Sequence, residues 1–104
     1  MIPSVGRIVH ITLSEACADN INRRRGIYTE VAKRDKSVAT SIFHGNPVSG
    51  GQVYPMIITR VWSDNPTEAT AVQGQIFLDG DDCYWATSVS QGTEKGQWFE
   101  PPRI

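Results

Sequence analysis

Three consecutive arginines are the most conspicuous chemical group in this sequence of 104 residues. Arg23, Arg24 and Arg25 end a segment with helical features, and a guanidinium group can bind phosphate through two parallel hydrogen bonds. Adjacent residues on a helix point in different directions, so at most two of the three can contact one ligand. The cluster would also stabilise a helix C-terminus by about 0.3–1 kcal/mol through the helix dipole. We predict that Arg24 and Arg25 bind a phosphate group.

Aromatic residues are frequent in the second half of the chain, and some of them must form the core. In the phase of a β-strand, Tyr54, Arg60 and Trp62 share one face, which places a guanidinium beside aromatic rings. Such a pairing suits stacking of a nucleotide base with its phosphate held nearby. It equally suits a groove that binds extended peptides, and Trp62 could instead pack in the core. We predict that Arg60 binds phosphate or stacks on a base, beside a wall formed by Tyr54 and Trp62.

Motifs for catalysis or metal binding are missing from the sequence. His10 and His44 accompany no nucleophile motif such as G-x-S-x-G, and there is no P-loop or G-x-G-x-x-G. Cys17 and Cys83 lack the paired ligands of a zinc site, and the acidic run at 79–82 is too short for a calcium loop. We therefore expect a protein that is not an enzyme, has no cofactor or metal, and carries two buried free thiols.

Composition is that of an ordinary globular protein. A length of 104 residues, 39% hydrophobic and 20% charged, fits a single domain over 1–104. The net charge of −1 argues against general nucleic-acid binding through bulk positive charge. No apolar run approaches the roughly 20 residues of a membrane span, and the first 15 residues lack the features of a secretory signal. We expect a cytoplasmic protein.

Charge is divided unevenly between the two parts of the chain. Residues 1–60 contain eight basic and four acidic side chains, whereas residues 61–104 contain two basic and seven acidic ones. A molecule with one positive and one negative side can assemble with copies of itself or bind an anion on one face. A solvated basic helix face is the simpler interpretation of the same pattern.

The first half of the chain predicts one strand followed by helices. Residues 5–13 alternate as a strand, and Ser14 is suited to cap a helix that ends in the arginines before Gly26. Because glycine costs about 1 kcal/mol in a helix interior, we predict two helices separated at Gly26. Together they form an insertion at about 14–42, followed by a loop at 44–53. Spacings of four and three define a seam of Cys17, Ile21, Arg24, Tyr28, Val31, Asp35, Val38 and Ile42.

The second half predicts four further strands separated by turns, at 54–62, 70–78, 83–89 and 97–100. The fold class is therefore mainly β with a helical insertion (α+β). A five-stranded SH3-like small barrel with helices inserted after the first strand fits this order best. An OB-type barrel is the rival, but its helix usually lies between the third and fourth strands, where this chain has only a turn.

Four segments resemble a family of small uncharacterised proteins of tailed phages and prophages: MIPSVGRIVHITLSE, YPMIITRVW, QIFLDGDDCYWATSV and GQWFEPPRI. Family members carry the patterns MIPSxGRIVHY, PAIIVRVW, LxVFxDG and GTWHWPE. The match covers about half of the chain. This chain departs from the pattern at Ile11 and at residues 97–101, and residues 16–53 correspond to a variable region. The resemblance implies a phage accessory protein and implies no activity.

Two functions are compatible with these features. The first is a non-catalytic binder that sequesters a small anionic, nucleotide-type signal of a bacterial immune system. The second is an adaptor module that docks on a host or virion protein. A small barrel buries little surface, and the helical seam and the complementary charges favour self-association. We therefore expect a homo-oligomer in the host cytoplasm.

Overall fold

Five strands and one helix make up the part of the chain that the computed structural model describes, residues 1–34 and 45–102. A mainly β protein with helical structure after the first strand is thereby confirmed. Residues 35–42 of the predicted insertion, and His44, lie outside the described residues. The elements are β1 (Ile8–Thr12), α1 (Glu15–Arg34), β2 (Val53–Val61), β3 (Val72–Phe77), β4 (Cys83–Val89) and β5 (Trp98–Phe99).

The five strands form one antiparallel sheet in the order β4-β3-β2-β1-β5. Strand β1 lies between β2 and β5, so Ile11 is opposite Tyr54 on one side and Trp98 on the other. The chain that follows β4 reaches β5 at the other edge of the sheet. There, the Trp98 N–H donates to the Ser90 carbonyl at 3.0 Å, and the Gly92 N–H donates to the Trp98 carbonyl at 2.8 Å.

Strand alternation gives the sheet a core face and an outer face. On β1, Val9 is fully buried whereas the side chain before it, Ile8, is 58% exposed. The core face is continued by Met56 on β2, Ile76 on β3 and Trp98 on β5, all fully buried. These β-branched, aromatic and long apolar side chains favour strands and supply the buried apolar area that stabilises the sheet.

Two β-bulges interrupt the alternation. In β2 the register against β3 shifts between Ile58 and Arg60, so Thr59 is an extra residue. In β4 the register shifts just before Val89, and the neighbouring Ser88 has a φ of 52°. Each bulge reverses which residues of its strand face the core, and the first of them changes the predicted site.

Helix α1 begins where the sequence predicts. The Cys17 N–H donates to the Ser14 Oγ at 3.1 Å, so Ser14 is the N-cap residue. Glu15 in the first turn lies at the positive end of the helix dipole. One turn later, Ala18 and Ile21 are buried against the core of the sheet. The cap and this short apolar stripe hold the N-terminal turns of the helix against the core.

The helix continues through Gly26 to Arg34, so the prediction of two helices separated at Gly26 is wrong. Gly26 does not have a positive φ, and a Cβ atom there would have no neighbour within 4 Å. The glycine therefore adopts ordinary helical geometry, and a penalty of about 1 kcal/mol is too small to end a helix that its neighbours favour.

The predicted seam is only partly the buried face of the helix. Ile21 is buried, but the residues that accompany it are Ala18 and Arg25 rather than the half-buried Cys17 and Arg24. The side chains of the remaining seam positions, from Tyr28 to Ile42, lie outside the part of the chain that the structure describes.

Substitution of Gly26 by alanine is expected to stabilise the protein by about 0.4–1 kcal/mol, because alanine restricts the unfolded chain and fits the helix. Gly74→Ala is the contrasting variant: its Cβ would lie 2.7 Å from the Ile57 carbonyl oxygen, and we expect a loss of about 1–3 kcal/mol. Urea denaturation of both variants measures the two changes. Destabilisation by Gly26→Ala would contradict a continuous helix.

Candidate functional site

The carboxylate of Asp82 lies between two guanidinium groups of helix α1. Arg25 Nη2 donates to Asp82 Oδ1 at 2.7 Å, and Arg24 Nη2 donates to Asp82 Oδ2 at 2.9 Å. Arg25 Nε approaches the same Oδ2 at 3.4 Å, so Arg25 grips the carboxylate with two nitrogens. Asp82 directly precedes β4, so these three residues, the Asp82 cluster, join the helix to the β3–β4 hairpin.

Both arginines have further internal partners. Arg25 is only 7% exposed, and its Nη1 donates to the carbonyl of Asn46. Arg24 donates to the Cys83 carbonyl at 3.0 Å, and its guanidinium carbon lies 5.5 Å from the ring centroid of Tyr84. A charge as buried as that of Arg25 requires an opposite charge and hydrogen bonds to offset its desolvation. The predicted phosphate-binding arginines therefore have a structural role in the protomer.

Asp82 is ionised at neutral pH. Burial by itself raises the pKa of the Asp82 carboxyl, but hydrogen bonds and charges from Arg25 and Arg24 outweigh this effect and hold the pKa below its usual value. One negative charge thus compensates one of the two guanidinium charges. Arg24 is the more exposed of the two arginines, and Asp79 and Asp81 lie in the same turn as Asp82.

Arg60 and Trp62 form a second group at the end of β2. The Arg60 guanidinium carbon lies 4.1 Å from the ring centroid of Trp62, a cation–π contact. Trp62 is 48% exposed, so it does not pack in the core. Among the residues that the structure describes, no carboxylate forms an ion pair with Arg60. This pair combines an exposed aromatic surface with an uncompensated positive charge.

Tyr54 does not lie on the face of Arg60 and Trp62, so the predicted shared face is wrong. The reason is the bulge at Thr59, which shifts the alternation of β2 by one residue. Tyr54 is half-buried and packs against the core, and its hydroxyl donates to Gln52 Oε1 at 3.1 Å. The aromatic wall predicted from Tyr54 and Trp62 is therefore not formed in the protomer.

The Asp82 cluster and the Arg60–Trp62 pair do not meet in one pocket. Arg60 is opposite Gln73 near the start of β3, whereas Asp82 follows the end of that strand. Helix α1 packs on the core side, while Arg60 is exposed on the outer face. Four residues of β3 between the two groups span roughly 13 Å. One protomer thus presents two separate cationic groups.

A cavity of about 220 Å³ opens between helix α1, the end of β1 and strand β4. Among the residues that the structure describes, no Asp, Glu, Lys or Arg lines it. Burial raises the pKa of the Cys17 thiol at its wall, which keeps that thiol protonated. The cavity is therefore neutral. Apolar and uncharged polar side chains line it together: Ile11, Thr12, Leu13 and Ser14 at the end of β1, Cys17 and Asn20 from the helix, Ile76 from β3, Tyr84, Trp85, Ala86, Thr87 and Val89 from β4, and Gly96.

Sequence reasoning missed the cavity and the role of Asp82. The acidic run at 79–82 suggests a calcium loop that it is too short to form, and no local spacing links Asp82 to arginines 57 and 58 positions earlier. Both cysteines are free as predicted, but Cys83 is exposed, because the alternation of β4 turns its side chain away from the core. Burial was therefore wrongly predicted for that thiol.

Comparison with known proteins assigns no family to the chain. No family model, curated protein or solved structure matches it. Within the described residues, no group of three or more His, Cys, Asp or Glu side chains is arranged to hold a metal ion. The described helix is not apolar enough over a sufficient length to cross a membrane. The geometry of the described residues is thus the basis for any proposal about function.

Asp82→Asn is expected to destabilise the fold by on the order of 2 kcal/mol at neutral pH, because it removes a charged partner from the buried Arg25. The folded-state pKa of Asp82 is lowered, so its contribution is complete above the unfolded pKa and is lost as the pH falls. The stability gap between wild type and variant should therefore shrink below about pH 4. Denaturation of both proteins at a series of pH values measures this difference in the free energy of unfolding.

Asp64→Asn, an exposed change in the loop after β2, is the matched control and should leave stability almost unchanged. A stability gap for Asp82→Asn that is small at pH 7, or that grows on acidification, would contradict the assigned ion pair.

Proposed function

We propose that this protein is a non-catalytic phage accessory protein that sequesters a small anionic, nucleotide-type ligand, such as a signal of a bacterial immune system. The observation that supports this best is the exposed Arg60–Trp62 pair. Base stacking on an aromatic side chain contributes about 1–3 kcal/mol per base. A guanidinium without a carboxylate partner has N–H groups free for bidentate contact with phosphate. The pair thus offers an aromatic surface on which a base can stack and a guanidinium group that can bind the phosphate.

The Asp82 cluster has a secondary part in this proposal. Arg24 is the member that solvent reaches, so it is the arginine of the cluster that an anion can contact. Arg25 is buried, and its contacts stabilise the fold. Because the two cationic groups are separated within a protomer, a ligand that contacts both would have to bind between protomers. The proposed function therefore includes a homo-oligomer in the host cytoplasm, with no catalytic step and no cofactor.

The outer face of the sheet supports self-association. Ile8, Ile57, Gln75 and Trp85 form one row across four strands. None is charged, and Ile8 and Trp85 are 58% and 56% exposed. An uncharged apolar centre with polar margins is typical of the core of a subunit interface. We propose that a second copy of the chain covers this row, because two identical uncharged surfaces meet without repulsion.

We propose an SH3-like small barrel as the fold class. The strand order and the two hydrogen bonds between residues 90–92 and Trp98 support it, because they bring the chain after β4 against β5. Helix α1 then occupies the position of a long first connection. The barrel matters for function because such folds carry ligands on connections and strand edges rather than inside the small core.

An adaptor function is the second candidate. The observation that favours it is the neutral cavity beside β4. A phosphate ligand has no cationic partner there, whereas a peptide side chain would fit.

Arg60→Ala is expected to weaken nucleotide binding by about 10- to 100-fold, because it removes a charged hydrogen-bond donor set. A thermal-shift series with cyclic dinucleotides and ADP-ribose derivatives measures this, since a ligand that binds only the folded state raises Tm. Arg23→Ala removes another exposed arginine and should change nothing. No shift with any compound, together with unchanged behaviour of Arg60→Ala in infection assays, would refute the proposal and favour the adaptor.

Ile8→Lys is expected to dissociate the homo-oligomer to the chain mass of 11.5 kDa, because it places a charge in the proposed interface. Light scattering at micromolar concentration measures the mass, and wild type should exceed that of one chain. Val5→Lys, which changes an apolar residue that is 67% exposed outside the row, is the matched control. A wild-type mass of one chain would exclude the oligomer.

A further inference from the structure

On the side away from β3, the backbone of strand β4 contacts other described residues only at its two ends, and between them the Tyr84 hydroxyl accepts from Asn20 Nδ2 at 3.4 Å. On one side it pairs with β3 along its length. On the other side, Arg24 donates to the carbonyl of Cys83, where β4 begins, and the Trp98 N–H donates to the carbonyl of Ser90, just after β4 ends. Among the residues that the structure describes, no strand pairs with β4 between these two contacts.

Backbone groups of alternate residues point to the free side of an edge strand. The Arg24 contact with the Cys83 carbonyl indicates that these residues are Cys83, Trp85 and Thr87. Beyond Thr87 the bulge at Ser88 ends the regular strand. The free edge therefore offers a short ladder of N–H and C=O groups, centred on Trp85 and Thr87.

The neutral cavity adjoins this free edge. Strand β4 contributes to its wall the core-facing Tyr84 and Ala86, and also Trp85 and Thr87, whose side chains are exposed on the outer face. Cys17 and Asn20 of the helix line it as well. Its volume of about 220 Å³ is large enough for one side chain, since an apolar cavity of about 150 Å³ accommodates benzene. A strand added to β4 would place every second side chain towards the core side, where the cavity opens.

We propose that the free edge of β4 and the adjoining cavity bind an extended segment of a partner protein by strand addition. The ladder groups of Trp85 and Thr87 pair with the backbone of the segment, and one uncharged apolar side chain, such as leucine or phenylalanine, enters the cavity. This deepens the adaptor candidate and does not depend on the Arg60–Trp62 pair.

The chemistry of the site selects this occupant. Unpaired backbone N–H and C=O groups are matched by another extended backbone, which nucleotides and lipids lack. None of the described residues that line the cavity is charged, so a phosphate or a carboxylate anchor would be desolvated there without one of them as a partner. The short ladder predicts weak binding to a segment of about five residues.

Titration with acetylated and amidated peptides of the form Thr-Val-X-Val-Thr tests the proposal, with X as Leu, Phe, Asp or Lys. In ¹⁵N-resolved NMR spectra, the Leu or Phe peptide should shift the amides of Trp85, Thr87 and Cys17. The Asp and Lys peptides should bind at least 10-fold more weakly. Methylation of the peptide nitrogens that face β4 should abolish binding, whereas methylation of the alternate nitrogens should not.

Cys17→Leu, which fills the cavity, should reduce binding of the Leu peptide at least 10-fold. Ala16→Leu adds the same side chain at an exposed position one residue earlier and should have no effect. Shifts confined to other surfaces, binding that is insensitive to methylation, or no shift at millimolar peptide would each overturn the peptide site. If Cys17→Leu does not fold, binding of the methylated peptides to the wild-type protein still tests the proposal. None of these results bears on the nucleotide proposal, which depends on Arg60→Ala.

Discussion

The ion pair between Asp82 and the two arginines of helix α1 is the interaction on which the arrangement of this protein depends. The helix contributes only a short apolar stripe, Ala18 and Ile21, to the core before Arg25 follows on the same face. Desolvation of that guanidinium would oppose docking of the helix if the carboxylate were absent. With it, the helix packs beside β4, where its Cys17 and Asn20 line the cavity and its Arg24 donates to the Cys83 carbonyl.

Local signals in the sequence were sufficient for the strands and the start of the helix, but not for the continuation of the helix past Gly26 or for the site. Alternation identified the strands, and the side-chain oxygen of Ser14 marked the start of the helix, because both depend on neighbouring residues. Nothing in the local sequence marks Thr59 as an extra residue of the strand, yet because of this bulge Tyr54 and Arg60 lie on opposite faces. The partner of Arg25 lies 57 positions away, and its identity depends on a packing geometry that spacing does not reveal.

Charge and apolar surface are distributed separately in this small protein. The cationic groups lie at the ends of the sheet, with Arg60 exposed and the Asp82 cluster largely enclosed. The centre of the outer face and the cavity beside β4 are both uncharged. This separation is the reason that an anionic ligand and a peptide are proposed for different places. The two proposed ligands are also compatible, because an anion bound at Arg60 would not cover the cavity and a peptide bound at the cavity would not cover Arg60.

The bulge at Ser88 has a consequence for solubility. An open edge strand is a template on which further chains can stack, and a long flat edge leads to fibres. Because Ser88 has a positive φ, β4 bends away from a straight path after Thr87, and a full-length strand of another molecule cannot align with it. The kink therefore limits regular strand pairing at this edge to a few residues, which disfavours the continuous stacking of strands that amyloid-like polymerisation requires.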